Sequence, residues 1–393
     1  MARSFDLIIV GGGIHGAGVA QAAAVEGYSV LLLESRLIGA GSSSRSSKLI
    51  HGGLRYLESG QFRLVQESLH ERTTLLRIAP ELVRLERFYL PVYRHTRRRP
   101  WQLRAGLTLY ALLAGLRTGA GFGTLPRARW GELDGLDTQD LQAVLWYQDG
   151  RTDDQALTRA VIGSAQDFGA EVQMPARFIG AQLLEQVVRV RYEQDGTTHE
   201  CEARALVNAA GPWVSQVARA VSPAISVPAT ELVQGTHILL KAEISQGVYY
   251  VEAPHDGRAV FIMSWYGQLM AGTTEVPYHG DPAQVAPTAS EIDYLQGIAR
   301  HYFPRLRDAA EHPLTGSFAG LRVLPSGKGR AFNRSRETLL VTDRRRQPRV
   351  LSIYGGKLTT WRAVAARALR QLAPSLPRRV ARGRTDEILL RPR

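Results

Sequence analysis

Between residues 5 and 34 an apolar run, a glycine cluster, an alanine-rich segment and a second apolar run follow one another without interruption. Residues 5–10 are a short apolar run, the pattern of a parallel strand buried on both faces. Residues 14–25 predict a helix, and residues 28–33 a second strand closed by Glu34. This order is a βαβ unit. At its first turn stands Gly11-x-Gly13-x-x-Gly16. Alone the pattern is weak evidence; between a strand and a helix it carries a mechanism. The first glycine permits a tight turn, the second lets the backbone approach a pyrophosphate, and the third lets the helix pack closely. The helix N-terminus adds unpaired N–H groups and partial positive charge, which favour phosphate. Glu34 suits a ribose diol and repels a 2′-phosphate, so NADP is disfavoured.

The motif does not separate FAD from NAD, but two later segments do. Residues 207–211 form an apolar strand ending in Asn-Ala-Ala-Gly, and residues 353–357 a strand running into Gly355, Gly356 and Lys357. Such returns to the first turn, one of them near the C-terminus, suit a cofactor that reaches across the whole domain, which points to FAD.

The chain has 393 residues, more than one core usually serves, so two domains are expected. Cys201 is the single cysteine. Disulfides and cysteine metal sites are excluded, no metal site is expected, and a reducing, cytoplasmic setting is the default. The net charge of +13 could suggest nucleic acid or anionic lipid, but lysine occurs only at 48, 241, 328 and 357. That skew toward arginine reads as coding bias, and no nucleic-acid partner is expected. Asp6 and the glycines at 11–13 break any signal-peptide pattern despite Ala20-Gln21-Ala22. The longest apolar run, residues 107–116, is half the roughly 20 residues a membrane span needs.

Further along, residues 62–78, 156–168, 290–302 and 358–372 predict helices. Residues 171–210 alternate and are β-branched. Strands are expected at 236–241, 248–252, 259–264 and 268–273, as an antiparallel sheet with one covered face, and a last strand at 349–353. The fold class is α/β: a discontinuous Rossmann-like FAD-binding domain plus an antiparallel sheet-based substrate or cap domain. The first comprises 1–90, 145–225 and 315–373, the second 91–144 and 226–314. Residues 374–393 form a proline- and arginine-rich tail expected to be poorly ordered.

Several stretches are specific enough to carry a family resemblance. They are residues 6–20 (DLIIVGGGIHGAGVA), 46–58 (SSKLIHGGLRYLE), 62–65 (FRLV), 207–214 (VNAAGPWV), 234–237 (QGTH), 271–275 (AGTTE), 320–322 (GLR) and 354–362 (YGGKLTTWR). The chain resembles the FAD-dependent glycerol-3-phosphate dehydrogenases. His15 stands where that family usually has asparagine, and residues 21–26 lack its usual Asp and Arg. Longer members continue into a C-terminal helical domain, so a short form is expected.

The resemblance implies oxidation of sn-glycerol 3-phosphate to dihydroxyacetone phosphate, hydride going to flavin and electrons on to a quinone or other acceptor. Cofactor contacts are expected from Gly11, Gly13, Ile14, Gly16 and Glu34. The loop residues Ser43, Ser44, Ser47, Lys48 and Leu49 should join them, with Ala210, Gly211, Gly355, Gly356, Lys357, Leu358 and Thr359. Arg55 and Arg322 suit the substrate phosphate because a guanidinium binds two oxygens at once, with Tyr56 beside Arg55. Lys357, a rare lysine between a glycine pair and a threonine-containing turn, suggests that a compact ammonium is required near substrate or reduced flavin. His237 is the candidate base, since histidine titrates near neutrality; His51 competes.

The family is generally peripheral on membranes. Here Arg97, Arg98, Arg99, Arg104 and Arg117 flank Trp101, Leu103, Leu107, Leu109, Leu112, Leu113 and Leu116. Such a stretch either lies in a lipid interface, on the inner face of the cytoplasmic membrane, or packs its leucines against the protein body. Two other functions share the architecture: an amine or amino-acid oxidase, and a non-catalytic FAD-bound, membrane-associated protein. The combination of Arg55, His237, Arg322 and Lys357 argues for the phosphorylated alcohol.

Overall fold

A computed structural model describes residues 3–115, 119–326 and 338–393. Two sheets dominate it. The first is built on the strand Arg3–Val10, which pairs in parallel with Val30–Leu33 on one side and Thr197–Asn208 on the other. Residues 5–10 are all buried, which is why the run is apolar on both faces, apart from Asp6, rather than alternating. Val350–Tyr354 lies parallel to the end of Thr197–Asn208, so the chain returns twice to this sheet from distant segments. Among the described residues this sheet has nine strands.

The helix Ile14–Val25 is almost wholly buried. It lies among Asp154–Asp167 and Trp361–Leu372, and shares a core with both. That crowding explains its composition of glycine, alanine and valine: no face of it looks at water. The predicted helices at 14–25 and 62–78 have those bounds in the structure.

The second sheet has ten strands among the described residues and is mostly antiparallel. Near one end of it the long strand Thr230–Leu240 pairs with Leu314–Pro325 along its length and with Gln268–Gly272. Val83–Tyr93 and Leu141–Thr152 continue the sheet as an antiparallel pair. The helix Ala289–Tyr302 packs on it through Leu295, Ile298 and Ala299. Sheet membership runs across the boundaries expected from sequence. Residues 83–90, 145–152 and 315–325, assigned to the cofactor domain, are strands of this second sheet. The motif at 320–322 does reach the cofactor cavity, but the strand carrying it pairs with Thr230–Leu240.

Two expectations change. The tail is not loose. Leu390 is buried and its N–H caps the carbonyl of Ile78 at the end of Phe62–Ile78, 2.6 Å away. Arg379 pairs with Asp6 at 3.0 Å, and Arg382 N–H reaches Val25 O at 2.7 Å. The tail supplies donors to helix ends that otherwise lack them. The basic stretch after residue 97 forms the helix Pro100–Leu113, which packs part of its apolar side inward and leaves part of it exposed. Leu107, Tyr110 and Ala111 are buried, while Trp101 is 69% and Leu112 57% exposed. Leu116 and Arg117 lie outside the described residues. Among the described residues no helix is long and apolar enough to cross a membrane.

Candidate active site

A cavity of about 890 Å³ opens along the C-terminal ends of the first sheet's parallel strands and runs toward the second sheet, the place where α/β sheets take their ligands. Gly11 turns at φ +106°, a conformation open to glycine. A Cβ on Gly16 would lie 1.9 Å from the Gly11 carbonyl oxygen, whereas one on Gly13 would meet Ser43 Oγ at 3.2 Å and otherwise face the cavity. Gly16 therefore serves packing and Gly13 serves space for a ligand. That space lies over a helix N-terminus with no side-chain cap, as a pyrophosphate requires. Ser43 Oγ accepts the Ile14 N–H at 2.9 Å. Glu34 is fixed at the cavity edge by the N–H groups of Gly12 (2.6 Å) and Arg36 (2.8 Å).

Of the residues expected around the cofactor, Gly11, Gly13, Ile14, Glu34, Ser43, Ser47, Leu49, Ala210, Gly211, Gly355, Gly356, Lys357, Leu358 and Thr359 line this cavity. Gly16, Ser44 and Lys48 do not. Gly16 is turned into the helix–strand contact. Ser44 bonds back to Gly41 O at 3.4 Å. The Lys48 ammonium is buried in a pair with Asp154, 2.8 Å away, and also reaches Ser44 O at 2.6 Å. Asp154 further accepts from Ser46 N–H and Oγ–H, so this pair ties the serine loop to the helix behind it. The sequence reading passed over the wall at residues 176–179 and the Arg36 guanidinium stacked 5.3 Å over Trp213. Only the tryptophan, in a matching motif, carried any signal.

A second pocket, about 90 Å³, adjoins the first and shares Ser47, His51, Tyr56 and Arg322 with it. Arg55 and Arg322 converge there on one buried carboxylate, Glu275, at 3.7 and 3.5 Å. Arg258 enters the same pocket and donates to Glu275 O at 3.1 Å. The Arg55 guanidinium lies over the Tyr56 ring. Glu275 ends the matching stretch at 271–275 but was given no role of its own, and Arg258 had none because nothing local marks one arginine among many.

His237 is 2% exposed and stacks on Phe318 at 4.8 Å. Its Nε2 lies 3.0 Å from Ser47 Oγ, and Nδ1 has no hydrogen-bond partner among the described residues. Burial above all, then the charges of Arg322 and Lys48, hold its pKa well below the usual histidine value, so the ring is neutral at physiological pH. His51 borders both cavities. Its backbone N–H and C=O are both bonded to Thr359 Oγ1, at 3.1 and 3.3 Å. His15 is half-buried at the cavity beside Gly356, and desolvation, then Arg367, lowers its pKa to about 4.

Lys357 departs from expectation. Its ammonium donates to His51 O (3.1 Å), Gly52 O (3.1 Å) and Ser68 Oγ (2.9 Å). Two of these acceptors lie in the substrate loop and the third on the helix Phe62–Ile78, so the ammonium ties the loop to that helix at the border of the cavity. It clamps the loop and lends its charge from there, 5.0 Å from the Tyr56 ring.

The fold and this cavity define a flavin-dependent oxidoreductase, and residues 6–362 match the family model described as FAD dependent oxidoreductase. A glycerol-3-phosphate dehydrogenase of Pseudomonas aeruginosa is 39% identical over 381 residues, covering 95% of this chain and 72% of that protein. D-erythritol 1-phosphate dehydrogenase of Brucella abortus is 36% identical over 378 residues, covering 95% and 74%. The solved glycerol-3-phosphate dehydrogenase from Bacillus halodurans, complexed with FAD, superposes with a TM-score of 0.72 at 26% identity, covering 98% of this chain and 69% of that one. The chain belongs to the FAD-dependent glycerol-3-phosphate dehydrogenase family, and its cofactor is FAD.

Proposed function

We propose that the protein oxidises sn-glycerol 3-phosphate to dihydroxyacetone phosphate and passes the electrons to a quinone or another acceptor. The observation that carries this reading is the junction of the two cavities, where a pocket holding Arg55 and Arg322 opens beside the cofactor cavity. Bound FAD supplies the hydride acceptor. Arg55 and Arg322 hold the phosphate, which competes with Glu275 for their planar forks. His237, kept neutral, takes the C2 hydroxyl proton, with Ser47 aligning its Nε2 toward the junction. His51 is the rival base, since it borders both cavities.

A specific observation supports a second substrate. The relative acting on D-erythritol 1-phosphate is nearly as similar as the glycerol 3-phosphate enzyme, and the arginine pair recognises the phosphate rather than the length of the polyol. Anaerobic bleaching of the flavin over a panel of glycerol 3-phosphate, erythritol 1-phosphate, glycerol and glycine tests both. Bleaching by the phosphorylated alcohols alone supports the reading. Bleaching by glycine overturns it in favour of an amine oxidase, and no bleaching by any of them favours a non-catalytic flavoprotein.

A membrane contact on the cytoplasmic side belongs to the same proposal. Trp101, Leu109 and Leu112 are exposed on Pro100–Leu113, and Arg104 lies on the same helix, a pattern that suits an anionic lipid interface. Co-sedimentation with phosphatidylglycerol vesicles, lost on Trp101→Ala, checks it.

A further inference from the structure

We propose that Tyr110 is a positioning residue for the substrate loop, through which the helix Pro100–Leu113 sets the affinity of the site for its phosphorylated substrate. The inference rests on the reading that Arg55 holds the phosphate. Tyr110 points inward from the helix and is 3% exposed. Its hydroxyl donates to Asp149 Oδ2 at 2.6 Å and accepts the Gly52 N–H at 2.8 Å. Asp149 is in turn paired with Arg72 at 2.8 Å, and both side chains are buried.

The direction of these bonds is determined by the groups themselves. A tyrosine hydroxyl has one proton, and a carboxylate partnered by a guanidinium is the stronger acceptor. The proton goes to Asp149, and the phenol oxygen is left facing the backbone N–H of Gly52. Burial, and then the Asp149 charge, raise the tyrosine pKa well above its usual value, so it stays a neutral donor.

The same residue is held from the other side. Lys357, on the turn that lines the cofactor cavity, donates to Gly52 O and His51 O. Gly52 is therefore gripped at its N–H by Pro100–Leu113 and at its carbonyl by the cofactor turn. A Cβ at residue 52 would lie 2.4 Å from Tyr110 Oη, so the close approach needs glycine. Arg55 and Tyr56 follow within the next turn, Leu54–Leu57. A displaced Gly52 is a displaced Arg55.

A merely structural network would lower stability when cut and leave recognition alone. Tyr110→Phe in the FAD-loaded full chain is expected to raise the substrate Kd, read from anaerobic flavin titration, by roughly tenfold, the scale of one buried hydrogen bond. The limiting rate of flavin reduction should stay within about threefold of wild type on the same scale. Gly52→Ala, which pushes the same pair apart from the loop side, should raise Kd similarly and serves where Tyr110→Phe does not fold. Leu107→Ala loosens the packing of the same helix while leaving the Tyr110–Gly52 hydrogen bond in place, and should lower the melting temperature with a smaller change in Kd. Wild-type Kd in both Tyr110→Phe and Gly52→Ala overturns the inference, as does an equal rise in Leu107→Ala. Either result leaves the substrate reading intact. If wild type is not bleached by glycerol 3-phosphate, that reading fails and the inference falls with it.

Discussion

His237 and Ser47 meet where the two cavities join, with the imidazole Nε2 3.0 Å from the serine Oγ. The serine borders both cavities, while the histidine borders only the larger. A base set behind a hydroxyl in this way is shielded from water and is held in one orientation by its stack on Phe318.

Replacing this histidine should show directly in the reductive half-reaction. His237→Ala is expected to slow flavin reduction by about 10²–10⁴-fold, the range for a positioned acid–base group. Substrate affinity should change little. The proton can be taken only by the neutral ring, and the pKa is lowered by burial, then Arg322 and Lys48. The wild-type rate should therefore rise with pH through a pKa below 6.5 and be level from neutrality upward. Rapid-mixing measurements of both proteins across pH test this, and near wild-type bleaching in the mutant transfers the role to His51.

The glycine motif separates a binding defect from a folding defect. Gly13→Val should give a folded but colourless protein, because the new side chain enters the cavity where the pyrophosphate approaches. Gly16→Val should not fold, since its Cβ would lie 1.9 Å from a backbone oxygen. Flavin absorbance and circular dichroism distinguish the two. A normal flavin spectrum in Gly13→Val would place the cofactor elsewhere.

At the phosphate pocket, Arg322→Leu should cost roughly 1.5–3 kcal/mol of substrate binding, the scale of a charge-assisted hydrogen bond. KM for glycerol 3-phosphate should rise by roughly 10- to 200-fold on that scale, and preference over unphosphorylated glycerol should fall. An unchanged KM removes Arg322 from the pocket.

The Lys48–Asp154 pair predicts a stability effect without a redox one. Asp154→Ala leaves a buried ammonium unpaired, which should cost about 3–5 kcal/mol. The urea midpoint should drop sharply. The same midpoint as wild type would mean that Lys48 reaches water, contrary to its burial.

What the sequence disclosed and what it hid follow a physical line. Helices with a clear amphipathic period, such as Phe62–Ile78, were legible because their pattern is local. Val83–Tyr93 was not. It mixes Arg84, Glu86 and Arg87 with apolar residues and contains Pro91, which a strand interior rarely admits. Its strand character comes from pairing with Leu141–Thr152, far along the chain. The site divides in the same way. Arg55, His237, Arg322 and Lys357 stand in distinctive motifs, and the structure brings all four to the cavities. Asp149, Asp154 and Tyr110 are ordinary residues whose meaning lies in partners distant in sequence. The orientation of Lys357 was hidden for the same reason, since its acceptors lie on the loop at residues 51 and 52.

The return of Val350–Tyr354 to the side of Thr197–Asn208 also dictates a timetable for biosynthesis. As the polypeptide leaves the ribosome, the sheet that frames the cofactor cavity keeps an unpaired edge until this late strand emerges. An open strand edge recruits other chains, and pairing between such distant segments is slow. That edge stays open from the emergence of Thr197–Asn208 to that of Val350–Tyr354, a window in which misassembly competes with folding. Residues 353–359, which help to line the cofactor cavity, emerge with this strand, so the cavity is complete only after it.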